Sequence, residues 1–285
     1  MELPFLYQDE HVAVVCKPAG VVVNRAETVS SETIQDWWLA TLKKMGGGEL
    51  VFPKDWQRQV PADFTPEFGT PEEIFAERGG IVHRLDKETS GALLLAKHPG
   101  SLVNLLLQFR QRKTQKKYTA LVHGKFSILE DTVSFPIGRS ALQRTKFHVA
   151  AEGRAAETTY KVTEFFPHFQ TAKLIQKVKD EGKEVKQLKQ KVERGYQGFS
   201  LVECWPKTGR THQIRVHFTH LRHPLVADPT YVGSKRLNLD QLWCPRLFLH
   251  ATTLGWSDPL TGEARSIEAE LPADLLAALQ FVREE

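Results

Sequence analysis

No run of eighteen or more apolar residues occurs in this sequence, and residues 1 to 15 carry Asp9 and Glu10 where an export leader has an apolar centre. A membrane span is therefore not expected, and the reading is of a cytoplasmic protein. Cysteine is scarce. Cys16, Cys204 and Cys244 lie far apart, so they make no local metal-binding spacing, and an odd count argues against a closed disulfide framework. They read as buried small hydrophobes. Internal repeats are absent too. Net charge is small, +4, which by itself identifies no nucleic-acid protein.

What remains is a chain of 285 residues, 41% hydrophobic and 25% charged, able to bury a substantial core. One catalytic domain is expected over 1–285. The charge is unevenly placed. Residues 171–196 hold eight Lys or Arg against Asp180, Glu181, Glu184 and Glu193, a surplus equal to that of the whole chain. Arg110, Arg112, Lys113, Lys116 and Lys117 form a second basic cluster. A polyanionic partner fits this distribution.

Along the chain, residues 12–15 form an apolar run that ends in Lys17-Pro18-Ala19-Gly20, and Val21 to Val23 resume it, which predicts two short strands around a turn. Ser31 or Thr33 caps a helix through Ile34, Trp37, Trp38 and Leu42, ended by Gly46-Gly47-Gly48. Residues 46–80 are rich in Gly and Pro without a sustained period and read as an irregular surface excursion. Ile81 restores order before a turn at 86–91, and the unbroken apolar run 92–96 predicts a buried strand. Ser101 is the expected cap of a helix through Leu102, Leu105, Leu106 and Phe109. Strands are expected at 118–122, 158–165, 199–203 and 247–254, and a helix at 213–220.

Three segments can carry chemistry. The first is His83-Arg84-Leu85-Asp86-Lys87-Glu88-Thr89-Ser90-Gly91, a base, an acid, hydroxyls and a glycine between apolar runs. Read alone, it is also an Asx or ST turn in which the Asp86 side chain accepts from Thr89 and Ser90. The second is Thr208-Gly209-Arg210-Thr211-His212-Gln213-Ile214-Arg215-Val216-His217, a glycine turn at a helix start, where backbone N–H groups favour anions. His217, His220 and His223 follow it; their spacing matches no zinc pattern, so they read as surface or packing residues. The third is Lys116-Lys117-Tyr118-Thr119-Ala120-Leu121-Val122-His123-Gly124, in which a tyrosine opens a strand.

In this order the segments resemble the RluA-type family of RNA pseudouridine synthases. The resemblance takes in the turn at 17–20, the loop at 83–91, the strand at 116–124, the stretch 208–217, His223-Pro224-Leu225 and Asp228-Pro229. It implies an α+β fold on a largely antiparallel bent sheet with flanking helices and a central cleft. It implies isomerisation of uridine in structured RNA, ribosomal or transfer, by a monomer without metal or organic cofactor. Asp86 is the implied catalytic carboxylate. It can add to the anomeric carbon, add to the pyrimidine ring, or remove a sugar proton to give a glycal.

Arg215 is implied to stand beside Asp86, where a pair at about 4 Å contributes roughly 4 kcal/mol, enough to offset a desolvation shift of about three pKa units. Tyr118 is implied to stack on the target base and to help remove the proton from carbon 5. Arg84 is implied to fill the place of a uridine extruded from its stem. Arg210, His212 and Lys117, from the same matched stretches, are expected to contact RNA, as are Lys177 and Lys179 in the basic insertion 171–196. A separate N-terminal RNA-binding domain is not expected, because the pattern begins within the first twenty residues. Two other readings stay open: a glycoside hydrolase, which needs a second carboxylate, and a non-catalytic RNA-binding module.

Overall fold

Strand β1 (Phe5–Gln8) and strand β2 (Val12–Lys17) open the chain, followed by α1 (Ile34–Met45), a single 3-10 turn (Trp56–Gln59), α2 (Pro71–Arg78), β3 (Ser90–Ala96) and α3 (Pro99–Arg110). Then come β4 (Gln115–His123), β5 (Glu130–Val133), β6 (Ile137–Arg139), β7 (Phe147–Val149), β8 (Thr158–Phe166), α4 (Thr171–Asp180), α5 (Leu188–Gly195) and β9 (Phe199–Pro206). The chain ends with α6 (Gln213–His220), α7 (Ser234–Asp240), β10 (Leu249–Ser257), β11 (Ala264–Glu268) and α8 (Ala273–Leu279). This computed structural model describes residues 1–27, 29–143 and 145–283. Two compact units divide it: residues 1–116 with 251–270, and residues 117–250 with 271–285.

In the first unit β1–β2, β2–β3 and β10–β11 pair antiparallel, and β10 lies beside β3. Residues 12–15 and 92–96 are almost wholly excluded from solvent, which requires cover on both faces of the sheet and explains why these strands are continuously apolar. Trp38 of α1 is fully buried, and its indole N–H donates to the Ala96 carbonyl at 3.0 Å. A side chain of this size contributes about 3–5 kcal/mol by the cost of truncating it to alanine. Of the two expected caps, Ser31 and Thr33, it is Thr33 that caps α1, in a reciprocal box with Asp36.

Three readings of this unit are corrected. Val21 to Val23 form no strand, because the carbonyls of Val22 and Val23 accept from Ile34 N and Gln35 N at 3.0 Å and so complete the start of α1. The cap of α3 is His98, whose Nδ1 accepts from Ser101 N, with Ser101 as the third helical residue rather than the cap. The stretch 46–80 is not wholly irregular: Thr70 and Glu73 cap each other at the start of α2, Pro71 opens it, and Gly79 at φ +57 ends it. Those are ordinary helix boundaries, hidden because only Phe75 of α2 is buried and the helix has almost no apolar period. Trp56 is buried as well. Cys16 is only half-buried, whereas Cys204 and Cys244 are buried.

The second unit carries the strand order β4-β9-β8-β5, with all these neighbours antiparallel, and a separate antiparallel pair β6-β7. Alternation along β8 and β9 puts Tyr160, Val202 and Cys204 into a core with Ala120, Val122, Phe218 and Leu249. The basic insertion is a pair of amphipathic helices. Leu174 and Val178 on α4, and Leu188 and Val192 on α5, sit four residues apart and are buried with Phe199, Trp243 and Phe281. The insertion is therefore built into this unit's core and is not a solvated protrusion.

Candidate active site

The loop that carries Asp86 is pinned along β3 from several directions. Ile81 bridges Leu95, and Ala96 N donates to the Gly80 carbonyl at 2.8 Å. The Nε2 atom of His83 accepts from Leu94 N at 3.0 Å while its ring stacks on Phe109, centroids 4.6 Å apart. An acceptor nitrogen cannot hold a proton without losing that bond, and burial, then the Lys116 charge, hold the imidazole down to about 3. His83 is thus a neutral anchor rather than a base. Leu85 is buried beside it.

At the far end of the loop, Gly91 has φ +122, and a Cβ there would lie 2.3 Å from the Ala251 carbonyl oxygen. Only glycine lets β3 and β10 approach so closely at that point. The turn of residues 17–20 completes the frame. Lys17 is fully buried, and its ammonium donates to the carbonyls of Pro18 at 2.8 Å, Val21 at 2.9 Å and Lys87 at 3.2 Å. Gly20 N donates to the same Lys87 carbonyl at 2.8 Å. The residue following Asp86 is therefore tied to β2.

Asp86 itself is half-buried. The Asx reading is not what the loop does: Thr89 N donates to the backbone carbonyl of Asp86 at 3.1 Å, not to its side chain. Among the described residues of its own unit, the carboxylate oxygens enter no hydrogen bond or ion pair. Arg84 is exposed, two residues away.

Tyr118, Lys117, Arg210, His212 and Arg215 belong to the second unit. Tyr118 lies on β4 opposite Cys204, half-buried against the core. Lys117 pairs with Glu203 at 3.0 Å, which neutralises the charge it brings. Arg210 is held by its Nε to the Ala155 carbonyl at 3.0 Å. His212 adopts φ +56 at the start of α6, and its Nδ1 lies 3.0 Å from the Tyr231 hydroxyl.

Arg215 is 2% exposed. Its Nε and Nη2 donate to the two oxygens of Asp228 at 2.8 and 2.6 Å, and Nη2 also donates to Thr230 Oγ1 at 2.7 Å. Its guanidinium carbon lies 5.2 Å from the centroid of the Tyr231 ring. Asp228, wholly buried, further accepts from Thr230 N at 2.8 Å and Tyr231 N at 3.1 Å. A fork-on-fork pair of this kind fixes the plane of the guanidinium as well as its position.

Two residues in this unit were missed as functional supports. Asp228 stood in the matched stretch, but nothing in its spacing linked it to Arg215. Gln213 is buried and ties the turn before α6 together: its side chain donates to the Glu157 carbonyl and Thr158 Oγ1, both at 2.9 Å, and accepts from Thr208 Oγ1 at 2.6 Å. His217 is a packing residue, bonded to Thr158 Oγ1 and the Phe135 carbonyl, each at 3.0 Å. No group of three or more His, Cys, Asp or Glu is placed to hold a metal ion among the described residues. Among the same residues no helix is long and apolar enough to cross a membrane.

In the insertion, Lys177 and Lys183 both pair with Glu181, and Lys189 lies 3.9 Å from Glu193. Lys179, Lys186, Lys191 and Arg194 are exposed and have no ion-pair partner among the described residues.

Residues 11–220 match the model of the family described as RNA pseudouridylate synthase. The chain is 32% identical over 283 residues to a Bacillus subtilis (strain 168) protein named uncharacterized RNA pseudouridine synthase YlyB, covering 99% of this chain and 74% of that one. It is also 32% identical over 283 residues to ribosomal large subunit pseudouridine synthase C of Salmonella typhimurium (strain LT2), covering 98% and 69%. Among solved structures, human RNA pseudouridylate synthase domain containing 4 superposes with a TM-score of 0.64 at 22% identity, covering 98% of this chain and 92% of that one, a likeness of fold. With a matching family model over most of its length and relatives of this identity, the chain belongs to the RNA pseudouridylate synthase family and is an RNA pseudouridine synthase.

Proposed function

We propose that this enzyme converts specific uridines of ribosomal RNA to pseudouridine with Asp86 as the essential carboxylate. The observation that carries this reading is the state of Asp86: half-buried, on a loop fixed to β2 and β3, with side-chain oxygens uncommitted within its unit. A structural aspartate in a tight turn normally has those oxygens bonded to nearby N–H groups. One held rigidly, with no bond to the described residues of its own unit, is ready for a substrate.

In the reaction the bond from uracil N1 to C1′ breaks, the base turns within the site, and a bond from C5 to C1′ forms. The hydrogen on C5 is lost as a proton and N1 gains one, so the product is an isomer. Asp86 drives the cleavage, Arg215 supports that step, and Tyr118 stacks on the detached base. The uridine reaches the carboxylate by extrusion from its stem, and the exposed Arg84 takes its place in the stack. Arg210 and His212 contact the RNA, together with the exposed cations of α4 and α5. Lys179 stands for these; Lys117 and Lys177, each paired with a glutamate, contribute less charge.

Ribosomal RNA is favoured because the relatives from Salmonella typhimurium and Pseudomonas aeruginosa are named for the large ribosomal subunit. The test is release of tritium from RNA labelled at uridine C5, with large-subunit ribosomal RNA and transfer RNA as parallel substrates. Release from the ribosomal substrate supports the reading. Release from transfer RNA alone contradicts the substrate, and free uracil without label release contradicts the reaction.

A further inference from the structure

Arg215 owes its orientation to Asp228, and Asp228 follows a residue in an unusual conformation. Ala227 has φ +54, the left-handed region that a side chain bearing a Cβ adopts at a cost. Before it, Val226 is held on both sides, its N–H donating to the Leu121 carbonyl at 2.9 Å and its carbonyl accepting from Phe248 N at 3.1 Å. The chain leaves this pairing at Ala227 and enters the clamp at Asp228. Ala227 is itself buried in the core, and its N–H donates to Asp240 Oδ2 at 3.0 Å.

Asp240 is wholly buried at the end of α7. Its carboxylate has two further donors. The Tyr196 hydroxyl donates to Oδ1 at 2.8 Å, and Trp243 Nε1 donates to that hydroxyl at 2.8 Å. Burial, then the Asp240 charge, push the Tyr196 phenol far up, so it remains a donor. His123 Nε2 lies 2.9 Å from Oδ2, while His123 Nδ1 is buried with no partner. A proton on Nδ1 would have no acceptor, so the proton sits on Nε2 and points at Asp240. Two side chains, Tyr196 and His123, with Trp243 behind the first, thus converge on a carboxylate whose one backbone contact among the described residues is the N–H of the residue before Asp228.

We infer that Asp240 is a positioning residue for the isomerisation: it holds Ala227 in the left-handed turn that aims Asp228, and through it Arg215. This rests on the proposed role of Arg215. Asp240 and its donors bond no proposed RNA contact directly; the path to one runs through Asp228 and Tyr231 to His212, so loss of the network is expected to lower the reaction rate more than the grip on RNA.

The experiment compares single-turnover label release and RNA affinity for the wild type, Asp240→Asn, Ala227→Gly and the double variant. Val282→Ala, a core truncation in the same unit, serves as a stability control. Asp240→Asn is expected to slow the reaction by about tenfold or more with affinity within about twofold. Adding Ala227→Gly, which supplies a residue at ease at positive φ, restores about threefold or more of the lost rate. Should Asp240→Asn fail to fold, Ala227→Val strains the same turn while leaving Asp240 in place and is expected to show the same rate loss. A folded Asp240→Asn or Ala227→Val protein with the wild-type rate overturns the inference, as does a rate loss that Ala227→Gly leaves unchanged or that Val282→Ala reproduces. Arg215→Lys separates the two levels. If it is slow while Asp240→Asn is normal, only this inference fails; if it is normal, the role of Arg215 fails and the inference with it.

Discussion

The buried ammonium of Lys17 donates to the carbonyl of Lys87 at 3.2 Å, one residue past Asp86. A charge with 0% exposure is costly unless hydrogen bonds satisfy it, and Lys17 also donates to the Pro18 and Val21 carbonyls. The strand β2 and the loop at 83–91, some seventy residues apart in sequence, are thereby locked in one arrangement.

Replacing Lys17 by Met keeps the length of the side chain and removes the donor. It leaves the Pro18 and Val21 carbonyls short of a partner, which lowers stability by about 2 kcal/mol and frees the loop. Denaturant unfolding checks the first effect. Single-turnover rates check the second, which is expected to be a rate loss larger than any loss of RNA affinity. A Lys17→Met protein as stable and as fast as wild type would show that the loop is set by other contacts.

Stability should fall between pH 6.5 and about 4. His83 and His98 are held down to about 3 and about 4, in both cases first by burial. The unfolded chain, with histidine near 6.5, therefore binds protons that the folded chain refuses. Unfolding is favoured progressively as pH falls below the unfolded value, by at most about 2 kcal/mol per histidine at pH 5. Above pH 7 neither contributes to the slope. Unfolding midpoints from pH 7 to pH 5 for the wild type and His83→Gln test this, the variant being expected to lose part of the slope.

Arg215→Ala is a poor probe of catalysis, because it strands the Asp228 carboxylate in the core at a cost of about 3–5 kcal/mol. Arg215→Lys retains a charge but loses the two-pronged grip on Asp228. The expected outcome is a folded protein with RNA binding near that of wild type and a rate at least about tenfold lower. Equal losses of rate and affinity would assign Arg215 to RNA binding.

Deleting the insertion would expose the hydrophobic positions that Leu174, Val178, Leu188 and Val192 fill, so charge changes are the cleaner test. Changing Lys179, Lys186, Lys191 and Arg194 together to glutamine removes only exposed cations. If they meet phosphates, affinity falls and the slope of log affinity against log salt lessens by about 0.9 for each lost contact to duplex. An unaltered slope assigns the helices to packing alone.

The sequence was most legible where period and boundary signals agreed. Residues 92–96, wholly apolar, are buried in β3, and Thr33 with Asp36 marks the start of α1. The helix at Gln213–His220 falls where the glycine turn placed it. It was least legible where polar backbone groups were satisfied at a distance. Val21 to Val23 carry the composition of a strand, yet the Val22 and Val23 carbonyls serve α1 and the Val21 carbonyl serves Lys17. The insertion displayed its lysines and hid its four buried apolar residues, because a helix shows its docked face only through spacing. Asp86 and Arg215 were singled out as candidates by the motif. Their supports Lys17, Asp228 and Gln213 are long-range hydrogen-bond partners, which no local pattern reveals.

The central claim is that the side-chain oxygens of Asp86 perform the isomerisation. The most direct measurement is tritium release from RNA labelled at uridine C5 by the Asp86→Asn enzyme, alongside its affinity for the same RNA. The account predicts a loss of about a thousandfold or more in rate, with affinity and unfolding midpoint close to those of wild type. Label release at the wild-type rate by a folded Asp86→Asn protein would contradict it.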